Sequence, residues 1–182
     1  HMGLMQRMGA AQDEYNPEDF VNGVTLGTEI APQLFRKLKN VAALIDTAKE
    51  IEDFQAIGVQ CREILIELGN YIYEPMMAGD EEQPQSSNFK RKAELFTRFY
   101  LKGAENSDYR SITKKLTEAT WDYANKITHS RSATYYEAST CVTLCTSLVG
   151  VFENILQKVF NPLSQYHCSV CQSKKLSIDG DD

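Results

Sequence analysis

The sequence has little proline and no excess of positive charge. Only 5 of its 182 residues are proline, and no segment alternates apolar and polar residues strongly enough to predict a strand. Acidic residues outnumber Lys and Arg by 25 to 19, which gives a net charge of -6. This net charge counts against a large electrostatic surface for nucleic acid, although a local basic groove is compatible with it. No apolar run approaches the length of a membrane span and no signal-peptide pattern opens the chain, so we expect a cytoplasmic protein with no membrane partner.

Helical periodicity fills most of the remaining chain. Apolar residues recur at steps of three and four, which predicts helices near 32–48, 51–73, 89–101, 107–127 and 134–160. The breaks lie at Glu74-Pro75, Gly103 and Asn161-Pro162, and a Thr134 to Glu137 capping box predicts the start of the last helix. The sequence therefore predicts an all-α protein. We expect an antiparallel up-and-down bundle of four to five helices over residues 31–162, an irregular segment over 1–30 and a cysteine-bearing tail over 163–182.

The apolar pattern also predicts which residues are buried. On the fourth helix, the spacing predicts an inward face made of Ile112, Leu116, Ala119, Tyr123 and Ile127. On the fifth helix, Cys141 and Cys145 lie one turn apart within an apolar stripe, and we interpret them as small core residues.

Residues with catalytic potential gather where the fourth helix meets the fifth. Asn125 and His129 are four apart, so they share a helix face, and Arg131 follows at the turn. An imidazole, a guanidinium and an amide close together can move a proton and stabilise a phosphate charge without a metal. A histidine near a helix C-terminus can also serve only as a cap, because its charge is favoured there. Spacing alone favours that structural interpretation.

The segment Ala124-Asn125-Lys126-Ile127-Thr128-His129 resembles the R-N-x-x-x-H signature of the HEPN superfamily. The similarity extends over roughly residues 30–160, from the Asp53-to-Glu63 region to the last helix. It implies a small helical bundle that forms a homodimer and acts in a bacterial protein with further domains or protein partners. Several such proteins are linked to defence against phage. The resemblance also implies a metal-independent ribonuclease in which paired motifs meet at the dimer interface.

One position departs from that signature. Ala124 occupies the place of the family's catalytic arginine, and alanine cannot supply charge to a transition state. Two hypotheses follow from the resemblance. Either the domain is an interaction, dimerisation or sensing module without catalysis, or it is an endoribonuclease that uses His129 as acid/base, Arg131 for phosphate charge and Asn125 to orient the pair. A third hypothesis is a purely structural helical scaffold.

Basic residues cluster beside the same helices. If the third and fourth helices pack together, their basic residues predict an RNA-facing strip whose affinity would depend steeply on salt. A solvated helix face is the simpler interpretation of the same charges. The residues concerned are Lys90, Arg91, Lys92, Lys114, Lys115 and Lys126.

The tail carries a C-x-x-C pair that resembles a zinc knuckle. Cys168 and Cys171 would provide two thiolates and His167 a third ligand, whereas a structural zinc site takes four. The sequence therefore indicates a half-built structural zinc site, which a second subunit or another segment completes or which binds no metal at all. A redox role is less favoured, because no βαβ pattern surrounds the pair.

Overall fold

A computed structural model describes residues 32–160 of the chain. Over this range the chain forms five α-helices and two short 3-10 turns, and no strand occurs within it. The predicted all-α bundle is confirmed. The helices are α1 (Pro32–Thr47), α2 (Ile51–Ile72), α3 (Phe89–Tyr100), α4 (Ser107–Thr128) and α5 (Tyr135–Phe160), and the 3-10 turns are Pro75–Met77 and Ala104–Asn106.

The helix ends follow from local chemistry. At the start of α5 the Glu137 backbone N–H donates to Thr134 Oγ1 at 3.3 Å, and the Thr134 N–H donates to Glu137 Oε2 at 3.2 Å. This is the predicted capping box, in which each side chain satisfies a backbone N–H that the helix leaves unpaired. After α3, Gly103 adopts a φ of 90°, which residues with a side chain rarely adopt.

Helix α2 lies at the centre of the bundle and contacts each of the other four α-helices. It runs antiparallel to α4, because its first turns lie against the last turn of α4. Burial of its apolar stripe confirms the pattern predicted for this helix. The buried residues are Phe54, Ile57, Cys61, Ile64, Leu65, Leu68 and Ile72.

The predicted core face of α4 is only partly correct. Ile127 is buried, and Leu116 and Tyr123 are half-buried against the core. Ile112 is 61% exposed and Ala119 is exposed, while three threonines are buried instead. A threonine can face a helical core because its methyl group is apolar and its hydroxyl can bond to a backbone carbonyl one turn earlier. A hydropathy pattern counts threonine as polar. It therefore predicts a buried face of α4 that lies one residue before the observed one along most of the helix. The buried residues of α4 are Thr113, Thr117, Thr120, Ala124 and Ile127.

Cys141 and Cys145 are core residues, as predicted. Both are fully buried beside Cys61 of α2, and Cys145 Sγ lies 3.9 Å from the Cys61 carbonyl oxygen. A hydrogen bond with the Cys61 thiol raises the pKa of Cys141, and burial raises it further. The Cys141 thiol is therefore protonated at neutral pH, and a protonated buried thiol is a poor nucleophile.

By length and composition α5 could cross a membrane. The segment Tyr135–Val159 reaches a mean hydropathy of 1.4, and 67% of that window is buried inside the bundle. A helix that forms the core of a helical domain has the same composition, because all of its neighbours are apolar. The apolar character of α5 therefore has an explanation in its packing against α1, α2 and α4.

Candidate functional site

The motif residues lie at the end of the bundle where α4 stops and α5 begins. His129 caps α4 with a φ of -111° and a ψ of 4°, and its backbone N–H donates to the Lys126 carbonyl at 3.2 Å. The next N–H, from Ser130, donates to Ile127 at 3.1 Å. These two bonds tighten the last turn of α4 and set the direction in which the chain leaves the helix.

Helix α2 holds this turn in place. Gln55 Nε2 donates to the Ser130 carbonyl at 2.7 Å, which joins the first turns of α2 to the residue after His129. One turn further along α2, a Cβ at Gly58 would lie 2.8 Å from the backbone nitrogen of Thr128. Only glycine lets the two backbones approach so closely without displacement. The position of His129 is therefore set by contacts with α2 as well as by α4 itself.

The three predicted catalytic residues differ in their bonding. Asn125 is half-buried, and its Nδ2 donates to the Trp121 carbonyl at 3.0 Å, which leaves its amide oxygen available as an acceptor. His129 and Arg131 are exposed, and residues 32–160 provide no side-chain hydrogen bond or ion pair to either of them. The structure thus brings an imidazole and a guanidinium to the same solvent-facing turn, both free to contact a ligand or a partner.

Ala124 faces the opposite way. It is 0% exposed and belongs to the core face of α4, so the position that corresponds to the arginine of the HEPN signature points into the interior of this bundle. A charged side chain at that position would lose its hydration without a partner, at a large cost. In this chain the site has no cation at the motif position.

Two residues of α2 beside the motif are not part of any motif in the sequence. Arg62 lies over the Trp121 ring with its guanidinium carbon 5.7 Å from the ring centroid, and its Nε is buried without a partner among residues 32–160. Gln55 supports the turn, as described above. The only signal in the sequence is their spacing of seven residues, which places two long polar side chains on one face of α2.

An aromatic pair follows the turn. Tyr136 is 80% exposed, and its ring lies edge-on to Tyr135 with centroids 5.5 Å apart and an interplanar angle of 87°. Ile51, at the start of α2, is also exposed at this end. We call this surface the His129 end of the bundle, and it comprises Ile51, His129, Arg131, Tyr135 and Tyr136.

Helices α3 and α4 do pack together, and three of the six predicted RNA-binding residues line one groove between them. These are Lys90, Arg91 and Lys114. The same groove contains carboxylates: Lys90 Nζ lies 3.4 Å from Asp122 Oδ1, and an Arg91 Nη atom lies 2.7 Å from Glu94 Oε2. The groove is therefore a mixed-charge surface.

The other three basic residues have different surroundings. Lys92 is only 4% exposed, and its ammonium donates to Asn70 and, at 2.9 Å, to the Ser86 carbonyl. Burial lowers its pKa. Lys115 is exposed on α4, and Lys126 pairs with Glu137 at 3.4 Å. Lys92 thus fastens the loop before α3 to α2, because its ammonium points inward.

The predicted zinc ligands, Cys168, Cys171 and His167, lie outside the described residues. Within the described range, no group of three histidine, cysteine or acidic side chains is arranged to hold a metal ion. No protein-family model, curated protein or solved structure matches this chain.

Proposed function

We propose that this chain is a HEPN-like interaction module that pairs with a second copy of itself through the His129 end of the bundle. The observation that carries the proposal is the exposure of Tyr136 beside His129 and Arg131, neither of which has a side-chain partner within residues 32–160. Tyrosine and arginine are enriched at the energetic centres of protein interfaces. A rigid pair of aromatic rings at a helix start provides contact area at a small cost in conformational entropy.

The resemblance to the HEPN superfamily supports the same surface. Its signature implies that the helices bearing the motif meet at the dimer interface, and here that helix ends at the His129 end. Buried Ala124 favours the interaction module over the enzyme, because the site lacks the cation that the signature provides. The resemblance extends the proposal to a dimerisation or sensing module of a cytoplasmic bacterial protein involved in defence.

Analytical ultracentrifugation of the full chain over a range of concentrations tests this proposal. We expect a monomer–dimer equilibrium, and we expect Tyr136→Ala and Arg131→Ala each to weaken it about tenfold or more, as hot-spot residues do. Ile112→Ala is the matched control, because Ile112 is also highly exposed but lies near the start of α4, at the opposite end. A wild-type chain that stays monomeric, or a control that weakens the dimer equally, would contradict the proposal.

A metal-independent endoribonuclease is the second candidate function. It is favoured by the exposure of His129 and Arg131, neither of which has a side-chain partner among residues 32–160. The imidazole can therefore transfer a proton, and the guanidinium can bind phosphate. Asn125 would orient them through its unbonded amide oxygen.

RNA cleavage in the presence of EDTA tests this second function. We expect an enzyme to lose cleavage in His129→Ala and Arg131→Ala while the circular dichroism spectrum is unchanged, whereas Arg36→Ala, an exposed arginine on α1, keeps full activity. Intact RNA in all samples would exclude this function for the isolated chain. Together with a strictly monomeric state, that result would leave the structural scaffold.

A further inference from the structure

A polar groove lies between α3 and α4. It encloses about 370 Å³ and is floored by small residues, Ala93, Thr97, Thr113 and Thr117. Because these side chains are short, the two helices leave an open channel above them. Three basic and three acidic side chains form the walls: Lys90, Arg91, Lys114, Glu94, Glu118 and Asp122.

The charges of the walls cancel, and this decides which ligands suit the groove. A polyanion such as RNA gains affinity from uncompensated positive charge, and the three carboxylates offset that gain. An anion or a cation alone would meet repulsion from one half of the wall residues. A ligand that carries both signs of charge is complementary to the groove as a whole.

Most of these charges already have partners. Lys90 pairs with Asp122 across the groove, and Arg91 pairs with Glu94 along α3. Lys114 and Glu118 are the two wall charges left without an ion pair in the described part of the chain. They lie four residues apart on α4 with the lysine first, which is the less favourable order for a helical pair. One ammonium and one carboxylate therefore stand side by side and unpaired on the same wall.

The floor provides a third group. The hydroxyls of Thr97 and Thr113 donate to carbonyls one turn earlier, at 2.9 and 2.8 Å. Thr117 is 4% exposed, and its hydroxyl forms no hydrogen bond within the described residues. A buried hydroxyl without a partner costs free energy that a ligand's polar atom can recover.

We propose that this groove binds a small zwitterion of the free amino acid class. Lys114 contacts the ligand's carboxylate, Glu118 contacts its ammonium group, and Thr117 hydrogen-bonds to a polar atom that reaches the floor. The Cβ atoms of Lys114 and Glu118 are about 5–6 Å apart, as for any pair of residues one helical turn apart. This separation suits a ligand whose ammonium and carboxylate groups are bonded to the same carbon. The volume lies at the lower end of the range typical of small-molecule sites. This site is separate from the His129 end and does not depend on the proposed function.

Titration of the full, isotopically labelled chain with individual L-amino acids, followed by NMR, tests the proposal. We expect at least one amino acid to cause saturable shifts at α3 and α4 residues, with a Kd of about 1 mM or below. Acetate and ethylammonium, each carrying one of the two charges, are expected to cause no saturable shifts. Lys114→Gln, Glu118→Gln and Thr117→Val should each raise the Kd, the two charge variants by about tenfold or more.

Lys115→Gln is the matched control, because it removes a neighbouring exposed lysine that does not line the groove. The proposal is overturned if no amino acid gives saturable shifts up to about 20 mM, a range that covers weak metabolite binding. It is equally overturned if acetate binds as well as the amino acids, or if Lys115→Gln weakens binding as much as Lys114→Gln.

Discussion

The side-chain amide of Gln55 donates a 2.7 Å hydrogen bond to the backbone carbonyl of Ser130, 75 residues later in the chain. This bond joins the start of the central helix α2 to the residue that follows His129. The side chains of His129 and Arg131 have no partners of their own within the described residues. The turn is held instead by backbone bonds, by a 3.3 Å bond from the Ser132 N–H to Ser130 Oγ and by the Gln55 contact. Gln55 is therefore a positioning residue for the His129 end.

Replacement of Gln55 by alanine should loosen this turn. We expect the free energy of unfolding to fall by about 1 kcal/mol, the usual contribution of one such hydrogen bond, and the dimer to weaken as well. Chemical denaturation and sedimentation measure the two effects. Gln60→Ala is the control, since Gln60 is also half-buried on α2 but forms no hydrogen bond within residues 32–160. Equal effects of the two variants would show that the Ser130 contact is unimportant.

Gly58→Ala should destabilise the chain more than Gly69→Ala. A Cβ at Gly58 would lie 2.8 Å from the Thr128 backbone nitrogen, whereas one at Gly69 would first meet the Phe89 ring at 3.1 Å. A ring can shift more easily than a helix backbone, so we expect a loss of about 1–3 kcal/mol at Gly58 and a smaller loss at Gly69. Both variants gain the same helix propensity, so the difference in melting temperature reports the clash. A larger loss at Gly69 would be the contradicting result.

Removal of the charge of Glu153 should stabilise the protein at neutral pH. This side chain is 3% exposed, its Oε2 has no hydrogen-bond partner within the described residues, and burial raises its pKa above 4.5. The folded state therefore disfavours the ionised form of Glu153, which lowers the free energy of unfolding at neutral pH. This destabilisation decreases as the pH falls through the raised pKa of the folded state, and it is absent below the pKa of the unfolded state.

We expect Glu153→Gln to raise the free energy of unfolding at pH 7 and to match the wild type below about pH 4.5. Denaturant melts over this pH range measure the difference. Glu63→Gln, an exposed position on α2, should change stability little at either pH. A destabilised Glu153→Gln at neutral pH would mean that the carboxylate is bound by a group outside the described residues.

Asp53 should have the opposite pH dependence. The backbone N–H groups of Lys49 and Glu50 donate to its carboxylate at 2.9 and 3.0 Å and lower its pKa below 3.8. Its stabilisation of the α2 start is therefore complete above the unfolded pKa and is lost as the pH falls through the lowered folded value. In acid titrations of stability, we expect Asp53→Asn to remove this part of the pH dependence. If the free energy of unfolding of the variant falls in acid as steeply as that of the wild type, Asp53 does not make this contribution.

The helix boundaries could be predicted to within about a residue or two, because they depend on neighbours in sequence. Thr134 and Glu137 cap α5 through bonds across three residues, and the chain after Tyr73 is forced out of helix by Pro75. The all-helical class follows from the same periodic pattern. The location of Asn125, His129 and Arg131 near one turn could also be predicted, since all three lie within seven residues.

The residues that complete the site could not be predicted in this way. Gln55 and Ser130 meet only because α2 and α4 run antiparallel at close range, and Gly58 permits that approach. The inward direction of Lys92 likewise depends on Asn70 and on the loop carbonyl that it binds. Each of these contacts joins segments distant in sequence, so no local pattern reveals them.

The amino-acid sequence alone therefore determines that this chain is helical and where each described helix begins and ends, because caps, breakers and apolar spacing act within a single turn. Tertiary packing decides which face of α4 is buried. Three threonines enter the core there while Ile112 stays in solvent, and of their three hydroxyls only that of Thr113 has a hydrogen-bond partner within the described residues. Tertiary packing also points Ala124 inward, away from the exposed His129 and Arg131, because the neighbouring helices decide which face of a helix is buried.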